Sequence, residues 1–175
     1  MIETWPERTG ELRRSFDQAF ALPRRQVRDE VEQFLAIRVG GQPCALRLRD
    51  LTGLAAGRRV LSLPSRAPEL LGIAGVRGAL VPVYSLAVLL GHGQATAPLR
   101  WLAQCGGEDP IGLAFEEFEG YLRAPRADVY RANTAAGRHV SEVVRVGAVV
   151  RALVDVPSLT AALKARGHPG PSKER

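Results

Sequence analysis

Two stretches of the chain carry one pattern of apolar and polar positions. FLAIRVGGQPCALRLRDLTGL, from Phe34 to Leu54, and WLAQCGGEDPIGLAFEEFEGY, from Trp101 to Tyr121, each hold an apolar opening run, a Gly-Gly pair and a proline. A run with period-2 alternation follows, then an acid before a large apolar residue, then a glycine. Ala45, Leu46, Leu48, Leu51 and Gly53 precede Gly112, Leu113, Phe115, Phe118 and Gly120 at a constant offset of 67. Period 2 sends alternate side chains to opposite faces of a strand, and glycine reaches the positive φ of a tight turn at no steric cost. The pattern predicts duplicated β-hairpins turning at Gly40-Gly41 and Gly106-Gly107.

A weaker echo follows each hairpin. LVPVYSLAVLL from Leu80 and VVRALVDVPSLTAAL from Val149 are both β-branched runs that end in a helical pattern. Ser85 is placed to cap the first helix, Asp155 or Ser158 the second, and Gly91 and Gly167 to stop them. The expected architecture is two β-rich halves, 34–100 and 101–157, with a closing helix over 158–166. Short strands between frequent turns point to small barrels or a sandwich.

Outside the repeat, Trp5, Leu12, Phe16, Ala19 and Phe20 share one face at helical spacing. Thr4 and Glu7 form a capping box and Pro23 ends the pattern, so residues 1–33 are expected to be an amphipathic helix and linker. Its stripe is expected on the β core, with partner docking as the alternative. The tail, 168–175, is polar and rich in Pro and Gly, and is expected to be disordered.

Composition narrows the class. Of 175 residues 46% are hydrophobic, 24% charged and 6% aromatic, as in a soluble globular protein. Leu70 to Leu90 is long enough for a bilayer crossing, but Arg77 lies at its middle and Gly72, Gly75, Gly78 and Pro82 break it. Buried strands are expected instead. Two cysteines give no disulfide framework or zinc spacing, and MIETWPERTG lacks the order of a signal peptide, so a cytoplasmic location is expected.

Net charge is +6, and the excess sits on Arg58, Arg59, Arg66, Arg77 and Arg100. No dense basic stripe interleaved with aromatics accompanies it. No phosphate loop, HExxH or GxSxG occurs, and the GxxGxxG of Gly72, Gly75 and Gly78 lacks dinucleotide spacing. That segment is expected to be close-packed β. Cys44 and Cys105, which His92 and His139 could partner, have no activating charge beside them, and Cys44 is expected to be a buried apolar filler. Glu116, Glu117 and Glu119 are expected to form a solvated strand edge. No enzyme activity is expected.

GIAGVRGALVPVYSL, Gly72 to Leu86, followed by Leu90-Gly91, resembles the signature of CheW-type chemotaxis coupling proteins, in which G-x-x-N-L-R-G leads into P-V-x-D-L. The resemblance runs from Phe34 to about Lys164. Arg77, Gly78, Pro82 and Asp155 fit the pattern. Gly75 stands where the family usually has Asn, Val76 where it has Leu, Ser85 where it has Asp, and Gly53 at a position that is often Glu.

The resemblance implies a mainly β fold of two small five-stranded SH3-like barrels sharing a hydrophobic core, with a short closing helix. It implies a non-enzymatic adaptor without cofactor or metal. The implied partners are the cytoplasmic tip of methyl-accepting receptors, bound in an apolar groove, the regulatory domain of the histidine kinase CheA, and other CheW-like domains. It excludes nucleic acid and direct membrane insertion. The implied partner-binding residues are Arg77, Val76, Gly75, Leu48, Leu51, Gly53 and Leu54, of which Leu48 serves equally as core. A basic β-barrel that binds nucleic acid is the alternative.

Overall fold

In the computed structural model, which describes residues 30–95, 97–132 and 137–166, the first repeated stretch folds as the predicted hairpin. Strands β1 (Val31–Val39) and β2 (Gln42–Arg47) pair antiparallel across Gly40 and Gly41, whose φ angles are 56° and 77°. The chain continues through a single 3-10 turn to β3 (Gly53–Ala56), β4 (Val60–Leu61), a second hairpin of β5 (Leu70–Val76) and β6 (Ala79–Ser85), and helix α1 (Leu86–Leu90). The same series then recurs. Strands β7 (Trp101–Cys105) and β8 (Ile111–Phe115) form the copied hairpin; β9 (Glu117–Pro125), a 3-10 turn, β10 (Val129–Arg131), β11 (Val140–Val146), β12 (Val149–Val154) and helix α2 (Val156–Ala165) follow.

The strands form two six-stranded sheets, ordered β10-β11-β12-β2-β1-β9 and β3-β7-β8-β6-β5-β4. Both β units expected from the sequence are present, each with six strands where five were expected. The contiguous halves 34–100 and 101–157 are not those units, because the halves exchange hairpins. β2 lies parallel to β12, Cys44 opposite Ala152 and Leu46 opposite Val154. In the other sheet β8 lies parallel to β6, Gly112 opposite Val83 and Ala114 opposite Ser85. A hairpin alone leaves unpaired edges and one uncovered apolar face; inserted between strands of the other half, it has neither.

Apolar side chains fall into three layers. The central one lies between the sheets and takes Leu35, Ile37 and Leu46 from the first, Leu113 and Phe115 from the second, and Leu86 and Leu159 from the helices. Phe34, Ala45, Val144 and Leu153 form a layer in the first sheet's unit. Ala74, Val76, Val81, Val83, Leu102 and Ala114 form one in the second. Neighbours such as Phe34 and Leu35 are both buried because they point to different layers. Each fully buried Leu or Phe contributes about 1.5–3 kcal/mol by leaving water.

Both helix starts follow the predicted caps. Ser85 accepts a hydrogen bond from the Val88 amide at 3.4 Å, and Asp155 accepts one from Ser158 at 2.9 Å. Asp155 is therefore the cap, and α2 begins before the expected residue 158, with Pro157 in its first turn where a missing N–H costs nothing. Gly91 closes α1 in the left-handed conformation. The amphipathic helix expected within residues 1–33, the stop at Gly167 and the tail 168–175 lie outside the described residues.

Leu70 to Leu90 is a hairpin followed by a short helix. No described helix is long and apolar enough to cross a membrane. Within it only Gly72 is close-packed: a Cβ there would meet the Leu61 carbonyl oxygen at 2.0 Å, where β4 crosses a bulge in β5. Gly75 faces open space.

Candidate functional site

The β5–β6 hairpin turns on Arg77 and Gly78, with Val76 paired to Ala79. Their φ angles, 51° and 82°, are both positive, as in a type I′ turn. Arg77 thus sits at an exposed hairpin tip, not on a strand as the glycine-rich run suggested. A non-glycine residue in this region is strained. Its guanidinium folds back over β3: a Cβ on Gly53 would stand 3.4 Å from Arg77 Nη2 and 3.0 Å from Gln104 Oε1. The lack of a side chain at Gly53 gives the guanidinium its place. Arg77 makes no ion pair among the described residues.

Of its sequence neighbours, Gly75 is exposed opposite Leu80, which is itself exposed. Val76 is 3% exposed and packs inside the second unit. Alternation along β5 turns Val76 inward, so its side chain leaves the partner-binding set.

Leu48, Leu51 and Leu54 are half-buried and pack against the central layer together with Trp101 and Phe118. The Trp101 and Phe118 rings lie 5.1 Å apart, and Phe118 meets Tyr121 edge-on at 5.4 Å. Tyr121 is 64% exposed. The leucines singled out by the sequence thus border an aromatic ladder that was not singled out. The signal was available: Phe118 is the repeat partner of Leu51.

Charge is handled differently in the two sheets. In the first, Glu32 accepts from Arg47 and from Arg126, both at 2.7 Å, and Glu142 accepts from the same two arginines at 2.5 and 3.1 Å. The four close a ring across β1, β2, the turn after β9, and β11. Burial alone would raise the Glu32 carboxyl, but hydrogen bonds from Arg47 and Arg126 outweigh it and hold it below the usual carboxylate value. Glu119 is held low in the same way by Arg151 at 2.5 Å and Arg38 at 2.7 Å. Around the second sheet Arg58, Arg59, Arg66, Arg77 and Arg100 make no ion pair among the described residues, and neither do Arg123 and Arg131 on the outer strands of the first.

The solvated edge expected for Glu116, Glu117 and Glu119 is therefore corrected. Only Glu117 is an exposed, unengaged carboxylate; Glu119 holds two arginines, and Glu116 is buried at the crossover between sheets, where it accepts from the Gly40 amide at 3.0 Å. Cys44 and Cys105 are buried, and burial pushes their thiols up to about 11 and about 12. Neither is activated. His139 hydrogen-bonds Ser158 at 3.2 Å rather than a cysteine. Among the described residues no His, Cys, Asp and Glu side chains gather as a metal site would need.

A family model described as the CheW-like domain matches residues 33–164. Among solved structures, the scaffolding protein TtCheW from Thermoanaerobacter tengcongensis is similar at a TM-score of 0.63 and 13% identity, the match covering 70% of this chain and 88% of that one. Comparison with curated protein sequences gives no match. At that identity the structural likeness speaks for the fold, whereas the family model spans both copies of the repeat and the arginine-tipped hairpin. The chain belongs to the CheW-like domain family of chemotaxis coupling scaffolds.

Proposed function

We propose that this protein is a non-enzymatic, cytoplasmic adaptor that couples the tips of methyl-accepting receptors to a CheA-type histidine kinase. The observation that carries this reading is the half-buried apolar seam of Leu48, Leu51, Leu54, Trp101 and Phe118, ending in exposed Tyr121. Such a surface suits the apolar face of an amphipathic receptor helix. Arg77, unpaired at its hairpin tip beside Gly53 and Gly75, supplies a fork of donors for a carboxylate or a helix carbonyl on the kinase.

The test is affinity for the kinase regulatory domain with Arg77→Ala, read beside its melting curve. Loss of an intermolecular pair should cost about 2–5 kcal/mol of binding, with the fold unchanged. A lowered melting point with unchanged affinity would overturn the assignment. Leu51→Asp should abolish capture of a receptor hairpin. The free arginines make nucleic acid the competing partner, and salt separates the two. Phosphate binding weakens steeply as salt rises, whereas docking in an apolar seam does not.

A further inference from the structure

A cavity of about 310 Å³ opens in the second unit and shares Trp101 with the seam. Its walls are Val60, Leu71, Leu99, Trp101, Leu102 and Ala114. Leu102 and Ala114 are register partners on β7 and β8 and face the second unit's own apolar layer, while Ala103 and Leu113 beside them face the central one. The cavity is thus the unfilled end of that layer.

Two arginines, Arg58 and Arg100, complete the lining. The Gly57 amide donates to the Arg100 carbonyl at 2.9 Å, which extends the β3–β7 ladder one step beyond the Ala56–Trp101 pair. Arg100 is fixed on its other side by its amide, which donates to the Phe115 carbonyl at 3.2 Å. The backbone therefore brings both arginines to one cavity.

Neither guanidinium has an ion pair or hydrogen bond among the described residues. Acids of the same unit are engaged elsewhere: Glu69 holds Arg166 at 3.1 Å and Asp109 holds Lys164 at 3.4 Å. Glu108 lies in the turn at the opposite end of β7 from Arg100. Two cations sharing a cavity repel one another until an anion enters.

The geometry points to a binding site for a compact apolar monocarboxylate, its body in the cavity and its carboxylate held by Arg58 and Arg100. A guanidinium presents paired donors that match a carboxylate. The apolar walls select the body. A sugar or nucleotide would leave hydroxyls buried without partners, and the volume sits at the lower end for small-ligand pockets, which run from roughly 300 to 1,000 Å³. This inference is separable from the adaptor reading, since it uses none of the seam leucines and not Arg77, and shares with the seam Trp101 alone.

The experiment titrates the full chain, with Trp5→Phe so that Trp101 alone reports by fluorescence, and follows amide NMR shifts. Octanoate is the probe; octanol lacks the charge and acetate lacks the body. Octanoate should shift Leu71, Leu99, Trp101 and Leu102 and bind at least about tenfold tighter than either control. The double variant R58Q/R100Q should lose about that factor, while R66Q, another unpaired arginine, keeps full affinity. Octanoate no tighter than octanol, or full affinity in R58Q/R100Q, overturns the site. An acetylated Leu-Glu peptide that outcompetes octanoate at the same residues would instead make it a contact for a protein partner and overturn the small-acid assignment. None of these results depends on whether the receptor or the kinase binds.

Discussion

The two sheets are built from the same series of elements, yet only the first gathers arginines and carboxylates into networks, even though Arg123 and Arg131 on its outer strands stay unpaired among the described residues. In the first, Arg47 and Arg126 are locked with Glu32 and Glu142, and Arg38 and Arg151 share Glu119. Around the second, Arg58, Arg59, Arg66, Arg77 and Arg100 stand without counter-ions among the described residues. A guanidinium already paired with carboxylates has its charge balanced within the fold and gains little from an acid on another molecule. One that is unpaired keeps its full capacity, at the cost of mutual repulsion. The hairpin exchange thus lets both repeats contribute to one stabilising charge network in the first sheet, while the unpaired arginines around the second are available for recognition.

The largest effect expected from this contrast is on stability. Arg47→Met removes two charge-assisted hydrogen bonds and leaves two mostly shielded carboxylates hydrogen-bonded by Arg126 alone, and should cost about 3 kcal/mol in denaturant unfolding. Arg77→Ala, on the same measurement, should change stability by less than about 0.5 kcal/mol. Similar losses from the two would erase the distinction between the sheets.

The next effect is on binding. Gly53→Glu places a carboxylate beneath the Arg77 guanidinium and gives the second sheet an internal pair like those of the first. Kinase affinity should fall about tenfold, while stability moves by no more than about 1 kcal/mol, the range for an exposed pair. Unchanged affinity would mean that Arg77 is not the contact.

A smaller effect appears on acidification. Glu32 and Glu119 are held below the ordinary carboxylate value of 4.5, so the unfolded chain takes up their protons first. Their contribution is complete above that pH and is lost as pH falls through the lower folded-state values. The melting temperature should drop below about pH 4.5, and Glu32→Gln should flatten the drop. A slope unaffected by that substitution would show the ring to be energetically idle.

The smallest expected difference is none at all. Cys44 lies on β2 of the first sheet and Cys105 at the end of β7 in the second, both packed in the central layer. If that layer is one cooperative core, both thiols should become labelled at the same denaturant concentration. Labelling of one before the other would mean that the sheets open separately.

Much of this was legible in the sequence. The offset between Leu51 and Phe118 placed both hairpins, and the serine and aspartate before each helix pattern placed the caps, because these are local features written in adjacent residues. The hairpin exchange was not legible, since a strand's pattern fixes its faces and not its neighbour. Glu119 was misjudged for a related reason: its two arginines come from β1 and β12, both remote in the chain. Val76 was misplaced because the signature was carried over as a block, when alternation along β5 already separated it from Gly75. The position of Arg77 over Gly53 needed β3 and the hairpin tip brought together.

The exchange of hairpins bears on how the chain is made as well as on how it is held. A ribosome that has released everything up to β6 has completed neither sheet: β2 still waits for β12, and β6 for β8. The emerging first hairpin must carry its uncovered apolar face until almost the whole domain has been synthesised, because its parallel partner ends at Val154. Pairing over such long separations slows folding and prolongs exposure to aggregation. Translation speed and chaperone supply, rather than native stability, should therefore limit the yield of this protein in a cell.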